Sequence, residues 1–229
     1  MTGADLAGRP ADPDAPVRRV VVVRHGQTGH NAAGIWQGRL DTELSEFGRE
    51  QARRAAPALA ALRPGLLLSS DQRRAADTAD VLAAACGLPV RLDARLREVH
   101  VGRWQGMSRA EAARLHPDDT AALLAGHDVA HGVDGERVRD VVARVAPVWA
   151  ELVAELAPAG TALVVTHGVT ARALVAGAVG LDVAVLRRSV LGLANAHWAV
   201  LAEDGGAWCL ESWNVGVGSL DLGLGVAAG

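Results

Sequence analysis

Residues 18–31 read RRVVVVRHGQTGHN, and residues 161–172 read TALVVTHGVTAR. Between Arg18 and Val23 the valines run without a polar break, the pattern of a strand covered on both faces rather than one with a solvated side. Thr161 to Thr166 is a second run of this kind. Each strand ends in a turn carrying a histidine and a glycine: His25 and Gly26 in the first, His167 and Gly168 in the second, where a helix follows from about Val169. Strands buried on both faces belong to parallel sheets, whose ligands bind at the carboxyl ends of the strands. The two stretches therefore predict the fold class and the edge at which to look for chemistry.

Outward from these strands, Ser45 to Leu62 has helical spacing in Phe47, Gln51, Ala55, Leu59 and Leu62, with Ser45 placed as cap. Gly65 to Ser69 is a short apolar strand leading to a helix over Asp71 to Cys86, with Ser70 as cap and Gly87 as its stop. Pro89 to Leu92 reads as a third short strand. Ser108 and Glu111 have capping-box spacing and start a short helix that ends at Pro117. A long helix is expected from about Gly135 to Leu156, and two last strands near His197 to Ala202 and Trp208 to Ser212. Strands alternating with helices predict an α/β fold of three layers, a mainly parallel central sheet covered by helices on both faces. The length, 229 residues, suits one such domain, expected over 17–215, and is short for two with linkers. Residues 1–16, rich in Pro, Gly, Ala and Asp, and residues 216–229 read as tails.

Composition excludes several functions. All 23 basic residues are arginine. Without lysine there is no Schiff-base amine and no P-loop lysine, which removes pyridoxal enzymes, class I aldolases and Walker-type NTPases. A net charge of −3 offers no basic field for a nucleic-acid backbone. Cys86 and Cys209 lie far apart and read as small core residues. The longest apolar stretch, Ala173 to Leu181, is far short of a membrane span, and no signal-peptide pattern opens the chain. A cytoplasmic protein is expected, with neither nucleic acid nor membrane as partner.

Three strand ends carry candidate chemistry. A glycine lets backbone approach a ligand and a helix N-terminus adds positive potential, so both His-Gly turns suit an anion. The turn SSDQRRAADTA, residues 69–79, adds Arg73 and Arg74 at the same edge, and arginine grips phosphate with a planar fork of donors. Singly, a histidine at a strand end or an Arg-Arg pair at a helix start is more often an ordinary polar residue. Packing has no use for all three at one edge. His127 and His131, at i, i+4 spacing, lack an evident third metal ligand, so no metal and no cofactor is expected.

Arg24, His25 and Gly26 followed by Thr28 and Asn31, Gln37 with Gly38, LDTELSEFGREQA over 40–52, the 69–79 turn, LREVHVGRWQG over 96–106 and the late Thr166-His167-Gly168 together resemble the histidine phosphatase (phosphoglycerate mutase-like) superfamily. The resemblance spans residues 18 to about 213. It implies a metal-independent phosphomonoesterase acting on a small phosphorylated metabolite. His25 is implied as the nucleophile that becomes a phosphohistidine. Arg24, Arg74 and His167 are implied around the phosphoryl oxygens, with Asn31 joining them and Gln37 at the pocket edge; Thr28 and Gly168 complete the expected phosphate site. Arg74 is chosen over Arg73 because the family arginine directly precedes the alanine matching Ala75. Glu98 matches the family's proton donor, with His100 close enough in sequence to line the pocket. Glu136 matches the glutamate of a Gly-Glu-Ser motif, with Arg137 in place of the serine.

Mutases of the superfamily carry an insertion whose basic residues hold a carboxylate. Here 68 residues separate Glu98 from His167, none of them lysine, which favours a phosphatase. Among phosphatases, the late GLANAHW (192–198) and WCLESWN (208–214) make the pattern similar to the actinobacterial glucosyl-3-phosphoglycerate phosphatases, with ribazole phosphatases next, then a mutase, and an inactive phosphometabolite-binding module last. Substrate choice is expected to lie in residues 107–135. A homodimer is the remaining expectation.

Overall fold

A computed structural model describes residues 17–217, apart from the side chains of Val183, Leu186 and Arg187. The expected tail over 1–16, and residues 218–229 of the other, lie outside the described residues. In chain order the elements are β1 (Arg19–Arg24), α1 (Gly29–Ala32), α2 (Glu46–Ala61), β2 (Leu66–Ser69), α3 (Arg73–Cys86), β3 (Arg91–Leu92), α4 (Arg109–Leu115), α5 (Pro117–Leu124), α6 (Val138–Glu155), β4 (Thr161–Thr166), α7 (Gly168–Ala178), α8 (Val183–Ser189), β5 (Trp198–Asp204) and β6 (Ala207–Val215).

The sheet order is β3-β2-β4-β1-β5-β6, with β1 to β4 mutually parallel and β5 and β6 antiparallel at one side. Alternate valines of β1 serve opposite layers, as a pleated strand requires. Val20 and Val22 join the core under α6 and α7, with Val141, Val145 and Leu174. Val21 and Val23 join the core under α2 and α3, with Leu59, Ala79 and Leu82. The fold is thus the expected three-layer α/β sandwich.

Several local expectations need correction. Ser45 caps α2 as expected, accepting from Gly48 N at 3.0 Å. The buried face of that helix is Gly48, Ala52, Ala55, Ala56 and Leu59, while Phe47 is 57% exposed. The helix is turned because Gly48 must face Gly26 and Gln27: a Cβ on Gly26 would collide with the Gly48 carbonyl, and one on Gly48 with Gln27. Helix α3 starts at Arg73 rather than Asp71, with Gln72 and not Ser70 as cap residue. Ser70 is occupied in the site described below. The short helix from Ser108 stops before Pro117, but Pro117 itself opens α5, where its missing N–H costs nothing. The long helix starts at Val138, later than expected, where Asp140 accepts from Arg137 N at 2.9 Å. Cys86 is half-buried and packs against the core under α2 and α3, whereas Cys209 is exposed on the edge strand β6 and is not a core residue.

Candidate active site

Parallel pairing of β1 and β4 sets Arg24 opposite Thr166, so the next residues, His25 and His167, leave adjacent strands side by side. His25 N donates to Thr166 O at 2.9 Å, extending the ladder by one step. The rings lie 5.1 Å apart between centroids, and both side chains are buried, 2% and 0% exposed. His25 Nδ1 donates to its neighbour's carbonyl, Gly26 O, at 2.6 Å, which leaves the Nε2 lone pair as the reactive nitrogen. Arg74 Nε donates towards that nitrogen at 3.3 Å. Burial, reinforced by Arg74 and Arg24, holds His25 well below the ordinary histidine range; burial, then Arg74, His25 and Arg24, does the same to His167. Both rings are neutral at pH 7, the state a nitrogen nucleophile needs.

Arg74 sits in the first turn of α3 and is 1% exposed. Its Nη1 donates to Leu40 O at 2.7 Å and its Nη2 to Gly38 O at 2.9 Å, so the 37–41 loop fixes the guanidinium. Burial lowers Arg74 to about 10, still charged at neutral pH. Arg73, by contrast, is an exposed partner of Glu43 at 2.7 Å. Arg24 Nη1 donates to Leu193 O at 2.6 Å, while Nε is buried without a partner among the described residues. A missed residue, Gln72, joins these parts: Nε2 donates to Gly38 O at 3.1 Å and Oε1 accepts from Glu98 N at 2.7 Å.

Glu98 caps α7. Its Oε2 accepts from Val169 N at 3.2 Å, and its Oε1 from Thr170 N and Thr170 Oγ1, each at 3.1 Å, and from Val99 N at 2.9 Å. The positive end of α7 is thus turned on a carboxylate of the protein itself, not left open for phosphate as the sequence suggested. The glycine argument also changes. Gly26 is needed for packing on α2, and its N–H goes to Thr78 Oγ1 at 3.1 Å. A Cβ on Gly168 would stand in ordinary contact with the Arg24 guanidinium and Glu98 Oε2, each at 3.7 Å, so packing does not demand a glycine there.

Thr28 and Asn31 form a capping box around α1. Asn31 Oδ1 accepts from Thr28 N at 3.1 Å and from Asn195 Nδ2 at 3.3 Å. Gln37 is buried, its Oε1 accepting from Thr28 Oγ1 at 3.0 Å and Thr42 Oγ1 at 2.6 Å. Asn195 was missed by the sequence reading, although its GLANAHW segment was singled out; its Nδ2 also donates to His25 O at 3.0 Å.

A family model described as the histidine phosphatase superfamily (branch 1) matches residues 20–216. The chain belongs to the histidine phosphatase superfamily. It is 44% identical to a glucosyl-3-phosphoglycerate phosphatase of Mycolicibacterium vanbaalenii, over 86% of this chain and 95% of that one. The enzyme of the same name from Mycobacterium tuberculosis is 42% identical over 86% and 94% of the two chains. A solved structure of mycobacterial glucosyl-3-phosphoglycerate phosphatase complexed with VO3 superposes with a TM-score of 0.79 at 43% identity, covering 86% of this chain and 99% of that one.

In this histidine phosphatase a cavity of about 300 Å³ opens over Arg24, Glu98 and Gly168. Its walls bring in residues that the sequence reading did not select: Arg109 from the start of α4, Arg172 from α7, and Leu123 and Leu124 from α5. Lack of lysine between Glu98 and His167 therefore does not leave the pocket without cations, since Arg109, within that stretch, lines it and stacks on the Trp36 ring at 5.3 Å. Arg109 and Arg172 are close enough to Arg24 to lower its pKa, after burial and against Glu98. His100 is not among the lining residues; its N–H donates to Glu136 Oε2 at 2.8 Å. Glu136 in turn pairs with Arg144 and Arg39, both at 3.0 Å. His131 lines the cavity while His127 faces a different one. Among the described residues no three His, Cys, Asp or Glu side chains are grouped to hold a metal, and no helix is long and apolar enough to cross a membrane.

Proposed function

We propose that this histidine phosphatase hydrolyses glucosyl-3-phosphoglycerate through a phosphohistidine at His25. The relatives named above, matched over 86% of this chain, are phosphatases, and glucosyl-3-phosphoglycerate is the substrate in their name. The observation that carries the mechanism is the tautomer of His25: with Nδ1–H given to Gly26 O, the Nε2 lone pair faces the buried Arg74 in a site walled by arginine.

In the first step Nε2 forms a bond to phosphorus, the ester P–O bond breaks, and the departing alkoxide takes a proton from Glu98. In the second, water attacks phosphorus, its proton passes to Glu98, and the P–N bond breaks to release inorganic phosphate. Arg24, Arg74 and His167 hold the phosphoryl oxygens, whose charge they stabilise as fixed donors. Arg109 and Arg172 supply a second cationic patch beyond Arg24, suited to the carboxylate of a phosphoglycerate unit, and Trp36, Leu123 and Leu124 offer apolar walls for a sugar face. Steady-state kinetics on glucosyl-3-phosphoglycerate, 3-phosphoglycerate and glycerol 3-phosphate test the reading. Expected is the highest kcat/KM for the first and the lowest for the last, which lacks both carboxylate and sugar; equal values for all three would overturn the substrate assignment.

A further inference from the structure

The geometry points to Ser70 as a positioning residue that fixes the tautomer of His167, so that this ring presents an N–H to the phosphoryl group while His25 presents a lone pair. The two histidines leave equivalent positions of adjacent strands, have similar burial and share the same arginines. Nothing in their placement alone decides which one is phosphorylated. Their hydrogen bonds do.

Ser70 Oγ lies 2.9 Å from His167 Nε2 and accepts from Gln72 N at 3.3 Å. Ser70 and His167 are both 0% exposed, so bulk water does not reach their polar atoms. A hydroxyl has one proton. With Gln72 N–H already donated to Oγ, the Ser70 proton has a single acceptor in reach among the described residues, the Nε2 lone pair of His167. In the opposite arrangement Oγ would receive two donors and its own proton would be buried without an acceptor, a costly state. The proton of the neutral imidazole is then on Nδ1, which is buried with no partner among the described residues and is the donor left for a ligand. His25 carries its proton on Nδ1 as well, but spends it on Gly26 O. The same tautomer thus gives one nucleophile and one hydrogen-bond donor, because a different nitrogen is tied up in each.

The role in catalysis rests on the phosphohistidine reading; the tautomer does not. Long-range proton–nitrogen correlation spectra of the full chain labelled with ¹⁵N-histidine, taken at pH 7 without ligand, read it directly, with the His167 signals assigned by their loss in His167→Asn. Expected is Nδ1–H on His167. An Nε2–H tautomer there overturns the proposal, whether or not Ser70→Ala folds. Ser70→Ala should then move the His167 signals towards the other tautomer and lower both kcat and the affinity for vanadate about tenfold or more, and Ser70→Thr, which keeps the hydroxyl, should restore them. A Ser70→Ala protein with unchanged His167 signals also overturns it. Absence of phosphate on His25 during turnover would sink the phosphohistidine reading while leaving the tautomer assignment standing.

Discussion

The Glu98 carboxylate accepts the backbone amide and the hydroxyl of Thr170, two residues into the helix that starts after His167. The residue assigned to move a proton is therefore also the cap that fixes the helix entry beside the second histidine. The single proton of the Thr170 hydroxyl is shared with the nearer Arg97 O at 2.8 Å, which ties the loop bearing Glu98 to the same helix. Catalytic geometry and fold stability share these contacts, and variants here have to be read for both.

The nucleophile is tested first. His25→Ala should release no phosphate above background, and acid-labile, base-stable phosphate should appear on the wild-type chain during turnover but not on the variant. Substantial hydrolysis by His25→Ala would remove His25 from the mechanism.

Buried neutral histidines make stability depend on pH. Both His25 and His167 are held well below the ordinary value of about 6.5, mainly by burial. Above that value neither state takes up a proton at these rings and they contribute no pH dependence. Below it the unfolded chain binds protons that the folded chain refuses, so stability falls as pH drops, by about 1.4 kcal/mol per unit for each ring, until the depressed folded values are reached. Urea unfolding between pH 7.5 and 5 should show this slope, and His167→Gln should reduce it by about half.

Much of this was legible in the sequence because β1 and β4 are covered on both faces and so appear as unbroken apolar runs, each ending in its histidine. The resemblance to the family singled out Arg74 by its place before Ala75, and the fold sets it 3.3 Å from His25. The orientation of α2 was not, since apolar spacing favoured Phe47 while close backbone contact between Gly26 and Gly48 decided the face. Helix α5 was hidden by reading Pro117 as an end rather than a beginning. Ser70, Gln72, Asn195, Arg109 and Arg172 were missed because their roles depend on contacts between segments far apart in the chain; Gln72, for instance, meets Gly38 and Glu98 from a third loop.

No metal is required in the mechanism above, because Arg24 and Arg74 bring the positive charge that a metal would otherwise supply. Activity should survive exhaustive dialysis against EDTA and should be inhibited by vanadate. Loss on chelation with recovery on adding zinc or magnesium would contradict it.

Arg109 is expected to act on substrate discrimination. It is exposed, stacks on Trp36 and lines the cavity away from the buried histidines. Arg109→Ala should raise KM for glucosyl-3-phosphoglycerate about tenfold to a hundredfold, the range for a lost hydrogen bond to a charged group, with a much smaller effect on p-nitrophenyl phosphate. Parallel changes for the two substrates would assign Arg109 to the phosphate instead.

Glu98→Gln gives the sharpest test of proton donation, and the structure shows how to read it. The carboxylate oxygens accept from three backbone N–H groups and compete with Arg97 O for the Thr170 hydroxyl, and in the amide one of those oxygens becomes an NH₂ that meets an N–H donor, so the variant should also lose stability. Loss of activity alone is then ambiguous. The dependence on leaving group is not. An alkyl phosphate departs as a strong base and needs the proton, whereas p-nitrophenolate departs without it. A general acid contributes about 10²- to 10⁴-fold, so Glu98→Gln should slow the alkyl substrate by that much and p-nitrophenyl phosphate far less, measured well below the variant's melting temperature. A weakened cap on α7 would slow both substrates alike by disturbing His167. Equal slowing would therefore reduce Glu98 to a helix-capping residue and send the search for the proton donor elsewhere in the cavity lining.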